Sequence, residues 1–327
     1  MYIMGMDSTK YGGIERLNVA LASTLHQQGY SCVFVYESYP ESTEFTDDLT
    51  KAGGSILVCN SRRNKAVFIL RLTAILLRYR PLILHAHFTK ARFYALPLAY
   101  LMGIRRLFFT VHGELGSVET IKPHTFRWYR WACRKAQVIT VSDRIKEQYL
   151  ANWPEAHPKR IYLGVVPIEG CRATSRMELG IPCDQTMALV IANFNHIKGL
   201  DILCESIALL KEQNKLADNV HFYIVGQHEK DIRELMEIAR QMEIASHLHL
   251  IGISNRVALY MSAADIYVQP SRSEGLPLAL MEAASAGLPL IGTNVGGIPE
   301  VVRDTQNGIM VESENAAQLA DAISHLL

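Results

Sequence analysis

Two carboxylates, Glu274 and Glu282, bracket Pro277 in the run Ser271-Arg272-Ser273-Glu274-Gly275-Leu276-Pro277-Leu278-Ala279-Leu280-Met281-Glu282. Pro277 suits the first position of a helix, where its missing N–H has no intrahelical partner to lose. Gly287 and Pro289 mark where that helix must stop. Such a helix turns the unpaired amides of Leu278 and Ala279, with the positive end of its dipole, toward whatever lies beyond the preceding strand, a ready anion site. Glu274 just ahead of the helix and Glu282 in its second turn can face one cleft. Glu282 reads either as a solvated helix residue or as a carboxylate with a specific partner. Its apolar neighbours Leu280, Met281, Ala283 and Ala284 favour the second.

Other residues carry weaker signals. In Asn193-Phe194-Asn195-His196-Ile197-Lys198-Gly199, a Lys beside a Gly at a strand-to-helix turn can meet a phosphate as a mobile point charge. Gly296-Gly297-Ile298-Pro299-Glu300, after the strand Leu288–Gly292, is ambiguous on its own, a plain turn being its simplest reading. His85 and His87 share one side of a strand by the two-residue period, but no third ligand stands at suitable spacing, so no metal site is expected. The stretch Arg127-Trp128-Tyr129-Arg130-Trp131 reads as a helix packing its Trp face with its charges in water, not as a nucleic-acid platform.

The elements that must hold these residues alternate. Strands are expected at Tyr2–Met6, Cys32–Tyr36, Ser55–Val58, Leu82–His85, Leu107–Val111 and Val138–Val141. Helices fall between them at Ile14–Gln27, Lys65–Tyr79, Arg92–Met102 and His124–Lys135. The rhythm restarts with strand Met187–Ile191 and runs to helix Pro277–Ala286 and strand Leu288–Gly292. Alternation of this kind predicts an α/β chain with two doubly wound parallel sheets. At 327 residues two domains are expected: 1–165, a linker over 166–185 with Pro167, Gly170, Gly180 and Pro182, and 186–327. Residues 1–165 carry 22 Lys/Arg against 12 Asp/Glu, and residues 166–327 carry 11 against 20, so the halves differ in surface. The six Cys lack a C-x-x-C pair and read as reduced, buried thiols. No apolar run approaches the ~20 residues of a membrane span, and the chain reads as cytoplasmic.

Taken in order, these residues resemble the retaining, nucleotide-sugar-dependent transferases of glycosyltransferase family 4, the glycogen-synthase-like group with the GT-B fold of two Rossmann-like domains facing a cleft. Gly12-Gly13 is similar to the first-domain glycine loop. His85-Ala86-His87 and Thr110-Val111-His112-Gly113 are similar to strand ends that line the cleft. Glu274 to Glu282 matches the E-x7-E signature, followed by Gly296 to Glu300.

The resemblance implies roles. Glu282 would hold the ribose of a nucleoside-diphosphate sugar, with UDP expected as the base, and Glu274 would sit against the transferred sugar. Lys198, the amides of Leu278 and Ala279, and the Gly12-Gly13 loop would take the diphosphate, and His112 would lie beside the sugar. The developing charge on the leaving phosphate needs such preorganised donors. The nucleotide sugar is a substrate, so neither cofactor nor metal is implied. No D-x-D tripeptide occurs. The acceptor would be a saccharide or lipid-linked saccharide in bacterial surface polysaccharide synthesis, with the basic first domain docked peripherally on an anionic inner membrane face. Two departures stand out: Asn193 occupies the place of an Arg that grips the diphosphate in the family, and the return helix usual after the second domain does not follow Ala316–Leu327, so either the sequence is a fragment or that helix is lacking. A donor-weak, transferase-like binding subunit is therefore an alternative. An NAD-dependent dehydrogenase is a remote one, since G-x-G-x-x-G is absent.

Overall fold

The computed structural model describes residues 1–60, 64–113, 131, 134–303 and 306–327, with 89–92 described by backbone alone. The chain divides into two units, Met1–Gly164 and Val165–Leu327.

In the first unit β1 (Tyr2–Ile3), β2 (Cys32–Tyr36), β3 (Gly54–Val58), β4 (Ile83–His87), β5 (Arg106–Val111), β6 (Gln137–Thr140) and β7 (Lys159–Arg160) form one sheet in the order β3-β2-β1-β4-β5-β6-β7. Every described pairing is parallel. All five residues of β2 are buried, as a strand covered on both faces requires. Helices Gly13–Gln27, Thr43–Lys51, Lys65–Tyr79, Thr89–Leu101 and Asp143–Asn152 cross between strands. The helix Thr43–Lys51 escapes the sequence reading because it is short and polar; Ser42 caps it, its Oγ accepting from the Phe45 amide at 3.2 Å. The first strand is shorter than the expected Tyr2–Met6. The helix expected at His124–Lys135 lies mostly outside the described residues; of it Trp131 is seen edge-on to Tyr100 at 5.3 Å, and Arg134 and Lys135 lie in a turn.

In the second unit β8 (Thr186–Ile191), β9 (Val220–Gln227), β10 (Leu248–Gly252), β11 (Ile266–Gln269), β12 (Leu290–Thr293) and β13 (Gly308–Val311) lie in the order β10-β9-β8-β11-β12-β13, again parallel. Alternation along β8 splits the core. Ala188 and Val190 join Leu203, Ile207, Phe222 and Ile323 on one face, while Met187 and Leu189 join Val225, Tyr267, Leu280 and Ile298 on the other. In both sheets the strand order reverses beside the first strand, between β1 and β4 and between β8 and β11. Crevices beyond the carboxyl ends of such strands are where open α/β sheets take ligands.

Three expectations are corrected. Residues 166–185 are not a bare linker: Arg172–Leu179 is helical and belongs to the second unit. Arg176 on that helix is fully buried and gives its guanidinium to the carbonyls of Ala263, Pro182 and Gln185 and to the Asp265 carboxylate. The sequence shows no apolar period there because the anchor is a buried cation. Pro277 is the N-cap, so the helix runs Leu278–Ser285. Of the thiols, Cys32, Cys59 and Cys204 are buried but Cys171 and Cys183 are exposed, and Cys133 lies outside the described residues.

Candidate functional site

In the second unit the strand order reverses between β8 and β11, and the segments after these two strands carry the candidate donor residues. Glu274 Oε1 is a hub: it accepts Lys198 Nζ at 2.7 Å, Ser271 Oγ at 2.7 Å and Gln269 Nε2 at 2.9 Å. The Glu274 side chain is 9% exposed and that of Lys198 25%. Lys198 and Glu274, 76 residues apart in sequence, thus form one half-buried pair. Behind it, Tyr267 donates to Gln269 Oε1 at 2.8 Å. Burial, then the nearby Glu274 and Glu282 carboxylates, pushes the Tyr267 hydroxyl well up from its usual range, so it stays a donor. Tyr267, Gln269 and Ser271 are site residues that the sequence reading missed. Their signal is indistinguishable from an ordinary strand end.

Two glycines make this convergence possible. Gly199 has φ +64°, and a Cβ there would fall 2.0 Å from the Pro270 carbonyl oxygen. Gly296 has φ +52°, and its Cβ would fall 1.8 Å from the Glu274 carbonyl oxygen. The neighbouring Gly297 amide donates to the Gly275 carbonyl at 2.7 Å. The Gly296–Glu300 segment is therefore a buttress under Glu274, not a plain turn. Arg272 adds a clamp: its guanidinium meets both oxygens of Asp201 at 2.8 Å and Glu314 at 2.9 Å. Hydrogen bonding to Arg272 holds the Asp201 carboxyl below its usual range, and Asp201 lifts the Arg272 guanidinium further up.

Helix Leu278–Ser285 begins at the end of this loop. Its first backbone bond into the preceding residue is from the Met281 amide to the Pro277 carbonyl, so the Leu278 and Ala279 amides have no i−4 acceptor inside the helix. Glu282 is 6% exposed, alongside Leu280 and Ala283 on the buried face. Asn193 is exposed, accepts from Asn195 Nδ2 at 3.2 Å and brings no charge. Asn195 caps the turn His196–Lys198 through the Lys198 amide.

In the first unit Gly12 caps helix Gly13–Gln27, and its amide donates to Glu15 Oε2 at 3.1 Å, while Ser8 Oγ donates to Glu15 Oε1 at 2.9 Å. The glycine loop thus already holds a buried carboxylate at the helix start, and the Gly12 amide is taken up by it; Gly13 is the first helical residue.

On β4 and just after β5 stand three histidines. Leu84 and Ala86 of β4 are buried below the sheet, which leaves His85 and His87 on the other face, their ring centroids 4.3 Å apart. His85 Nε2 meets Thr110 Oγ1 at 2.8 Å, and His87 Nδ1 meets His112 Nε2 at 2.8 Å. Burial pushes His85 down to about 3, His112 to about 4 and His87 well below its usual value. Among the described residues no group of three or more His, Cys, Asp or Glu could hold a metal ion.

A depressed His pKa means that the unfolded chain takes protons the folded chain refuses, so stability rises with pH between the two values. The contribution is full above about pH 6.5 and is lost as pH falls toward the folded values near 4 and 3. The thermal midpoint of the first unit should fall across that window, and His85→Phe should flatten the slope. A slope unchanged by the substitution would refute this account.

Comparison with known proteins agrees with this layout. Residues 11–167 match the family described as Glycosyltransferase Family 4, and residues 172–327 that described as Glycosyl transferases group 1. An uncharacterized glycosyltransferase of Methanocaldococcus jannaschii is 29% identical over 58% of this chain and 50% of its own length. A D-inositol 3-phosphate glycosyltransferase of Streptomyces bingchenggensis is 31% identical over 49% of this chain and 36% of its own. The matched segments thus span half or less of these relatives. Among solved structures, Anabaena Alr3699/HepE in complex with UDP-glucose superposes with TM-score 0.79 at 18% identity, over 99% of this chain and 89% of that one. WaaG, a glycosyltransferase involved in lipopolysaccharide biosynthesis, gives TM-score 0.78 at 19% identity, over 99% and 90%. The chain is therefore built from a family 4-like glycosyltransferase domain followed by a group 1 glycosyltransferase domain, two parallel-sheet domains of the GT-B type.

Proposed function

We propose that this chain is a retaining glycosyltransferase that moves a sugar from a nucleoside-diphosphate sugar, with UDP as the nucleotide, to a saccharide or lipid-linked saccharide of a bacterial surface polysaccharide. The observation that carries the reading is the Lys198–Glu274 hub beside the start of helix Leu278–Ser285. Glu282 binds the ribose hydroxyls. Glu274 faces the sugar. Lys198 has three N–H donors, so it can keep Glu274 and meet the diphosphate, with the Leu278 and Ala279 amides beside it. His112 keeps the role toward the sugar that the family resemblance implies, and the leaving phosphate takes the acceptor proton. This charge compensation asks for no metal, and transfer should persist in a chelator.

A panel of UDP, GDP and ADP, each with its sugars, tests the reading by thermal shift. At 100 times its Kd the right nucleotide adds ~2.7 kcal/mol of stability. No stabilisation by any of them, with no nucleoside diphosphate released from a sugar donor, would overturn it. Binding without release would favour the donor-weak subunit, a reading that the uncharged, exposed Asn193 supports.

We further propose that the acceptor side lies on a membrane surface. Helix Lys65–Tyr79 buries Phe68, Leu72 and Leu76, yet Leu70 is 70% and Leu77 58% exposed, with Arg71, Arg78 and Arg80 exposed nearby. No helix among the described residues is long and apolar enough to cross a membrane. Arg62, Arg63 and the Arg127–Arg130 stretch lie outside the described residues. Basic residues at an anionic leaflet add ~1 kcal/mol each and are screened by salt. The protein should float with anionic liposomes at low salt, less as salt rises, and less again as Leu70→Glu/Leu77→Glu. Equal flotation with neutral vesicles would rule out the charge-driven mode.

A further inference from the structure

His87 and His112 share one proton between facing nitrogens, and the surroundings of His87 decide which of them owns it. His87 is the last residue of β4 and pairs in register with Thr110 of β5, so its ring stands beside the residue that follows β5. The His87 Nδ1 to His112 Nε2 distance is 2.8 Å. Both residues are partly buried, and desolvation pushes the pKa of both imidazoles well below 7, so each ring is neutral there and carries a single proton. Two arrangements satisfy the contact. In one, His87 donates from Nδ1, its Nε2 is a bare lone pair, and the proton of His112 sits on Nδ1. In the other, His112 donates from Nε2, its Nδ1 is bare, and the proton of His87 sits on Nε2.

The environment separates them. His87 Nε2 is buried and has no hydrogen-bond partner among the described residues. An orphaned buried N–H is the rarer and costlier defect, whereas an unmet lone pair is better tolerated. The bare site therefore falls on His87 Nε2. The ring of His112 is also held in orientation: it stacks on His87 with centroids 5.1 Å apart and on Phe88 with centroids 4.9 Å apart. Phe88 adopts φ +59°, a conformation that an aromatic residue takes only when its surroundings impose it, and that turn follows directly on His87.

We infer that His87 is a positioning residue that fixes His112 as the Nδ1–H tautomer, so that His112 offers a hydrogen-bond donor, not an acceptor, at its remaining nitrogen. An exposed neutral imidazole favours the opposite, Nε2–H form; the partner on one nitrogen sets the state of the other. The functional consequence rests on the proposed role of His112 toward the donor sugar, where an N–H meets a hydroxyl oxygen. The tautomer itself does not rest on it.

The test is a two-bond 1H–15N correlation spectrum of the full-length protein labelled at histidine, with His112 assigned by its loss in His112→Gln. The wild type should show His112 protonated at Nδ1. His87→Asn places an amide nitrogen where Nδ1 stood and should preserve that pattern, whereas His87→Phe should switch His112 to Nε2–H. Where transfer activity is found, His87→Phe should lower kcat with little change in donor KM, and His87→Asn should restore it. An Nε2–H pattern in the wild type, or an unchanged Nδ1–H pattern in a folded His87→Phe variant, overturns the inference. Should His87→Phe not fold, the wild-type and His87→Asn spectra decide the matter alone. The spectrum needs no donor, so a failed donor assay and a failed tautomer assignment are separate results.

Discussion

Lys198→Ala should nearly abolish sugar transfer, by on the order of 10²–10³ in kcat, the cost of removing one preorganised donor from a developing oxyanion. Two features make the loss large. Asn193 supplies no second cation, and the side chain removed is the only cation hydrogen-bonded to Glu274 among the described residues. The same change leaves the Glu274 carboxylate half-buried with only Ser271 and Gln269 as partners. An unpaired charge in such a place is costly, so the thermal midpoint should fall too. Adding Glu274→Gln should recover the midpoint but not the turnover. Steady-state kinetics and calorimetry on the two single variants and the double variant separate the effects. Transfer at wild-type rates in Lys198→Ala would remove Lys198 from the chemistry.

Arg176→Met should destabilise the second unit by ~3–5 kcal/mol, because it strips the partner from a buried charge network and leaves several acceptors unmet. Arg176 is fully buried, meets Asp265 Oδ2 at 2.6 Å and also serves four backbone carbonyls. Asp265 Oδ2 in turn accepts the Met187 amide at 2.8 Å and so ties the helix Arg172–Leu179 to the start of β8 and β11. Denaturant unfolding should show a midpoint drop confined to the second unit, with the first unit unchanged. Exposed Arg172 also reaches Asp265, at 2.7 Å, and Arg172→Ala should cost less than ~1 kcal/mol, as exposed pairs do. Equal losses from the two arginines would show that burial is not what matters here.

Much of this molecule is legible in its residue order. Hydrophobic periodicity reports only whether a side chain faces a core, and that is enough to place two runs of parallel strands and crossing helices, because strands covered on both faces must be apolar throughout. The β2 run Cys32–Tyr36 and the alternation in β8 show this directly. Cap chemistry is equally local: Pro277 and Gly287 bound their helix to within a residue of where it lies. The candidate residues Glu274, Glu282, Lys198 and His112 stand out from spacing and family likeness.

What only the tertiary structure decided is what touches those residues. The Lys198–Glu274 pair and the Gly296 buttress join segments that lie apart in sequence, and they meet the local Tyr267–Gln269–Ser271 chain only in the folded molecule. The same holds for Arg176, whose bond to Asp265 turns an expected linker into a docked helix. Hydrogen bonds and ion pairs between distant segments leave no period in a sequence, since a polar residue at a strand end reads alike whether water or a partner satisfies it. The proton between His87 and His112 is the extreme case. We infer its position from a buried nitrogen with no partner among the described residues, which no pattern of residues along the chain can display.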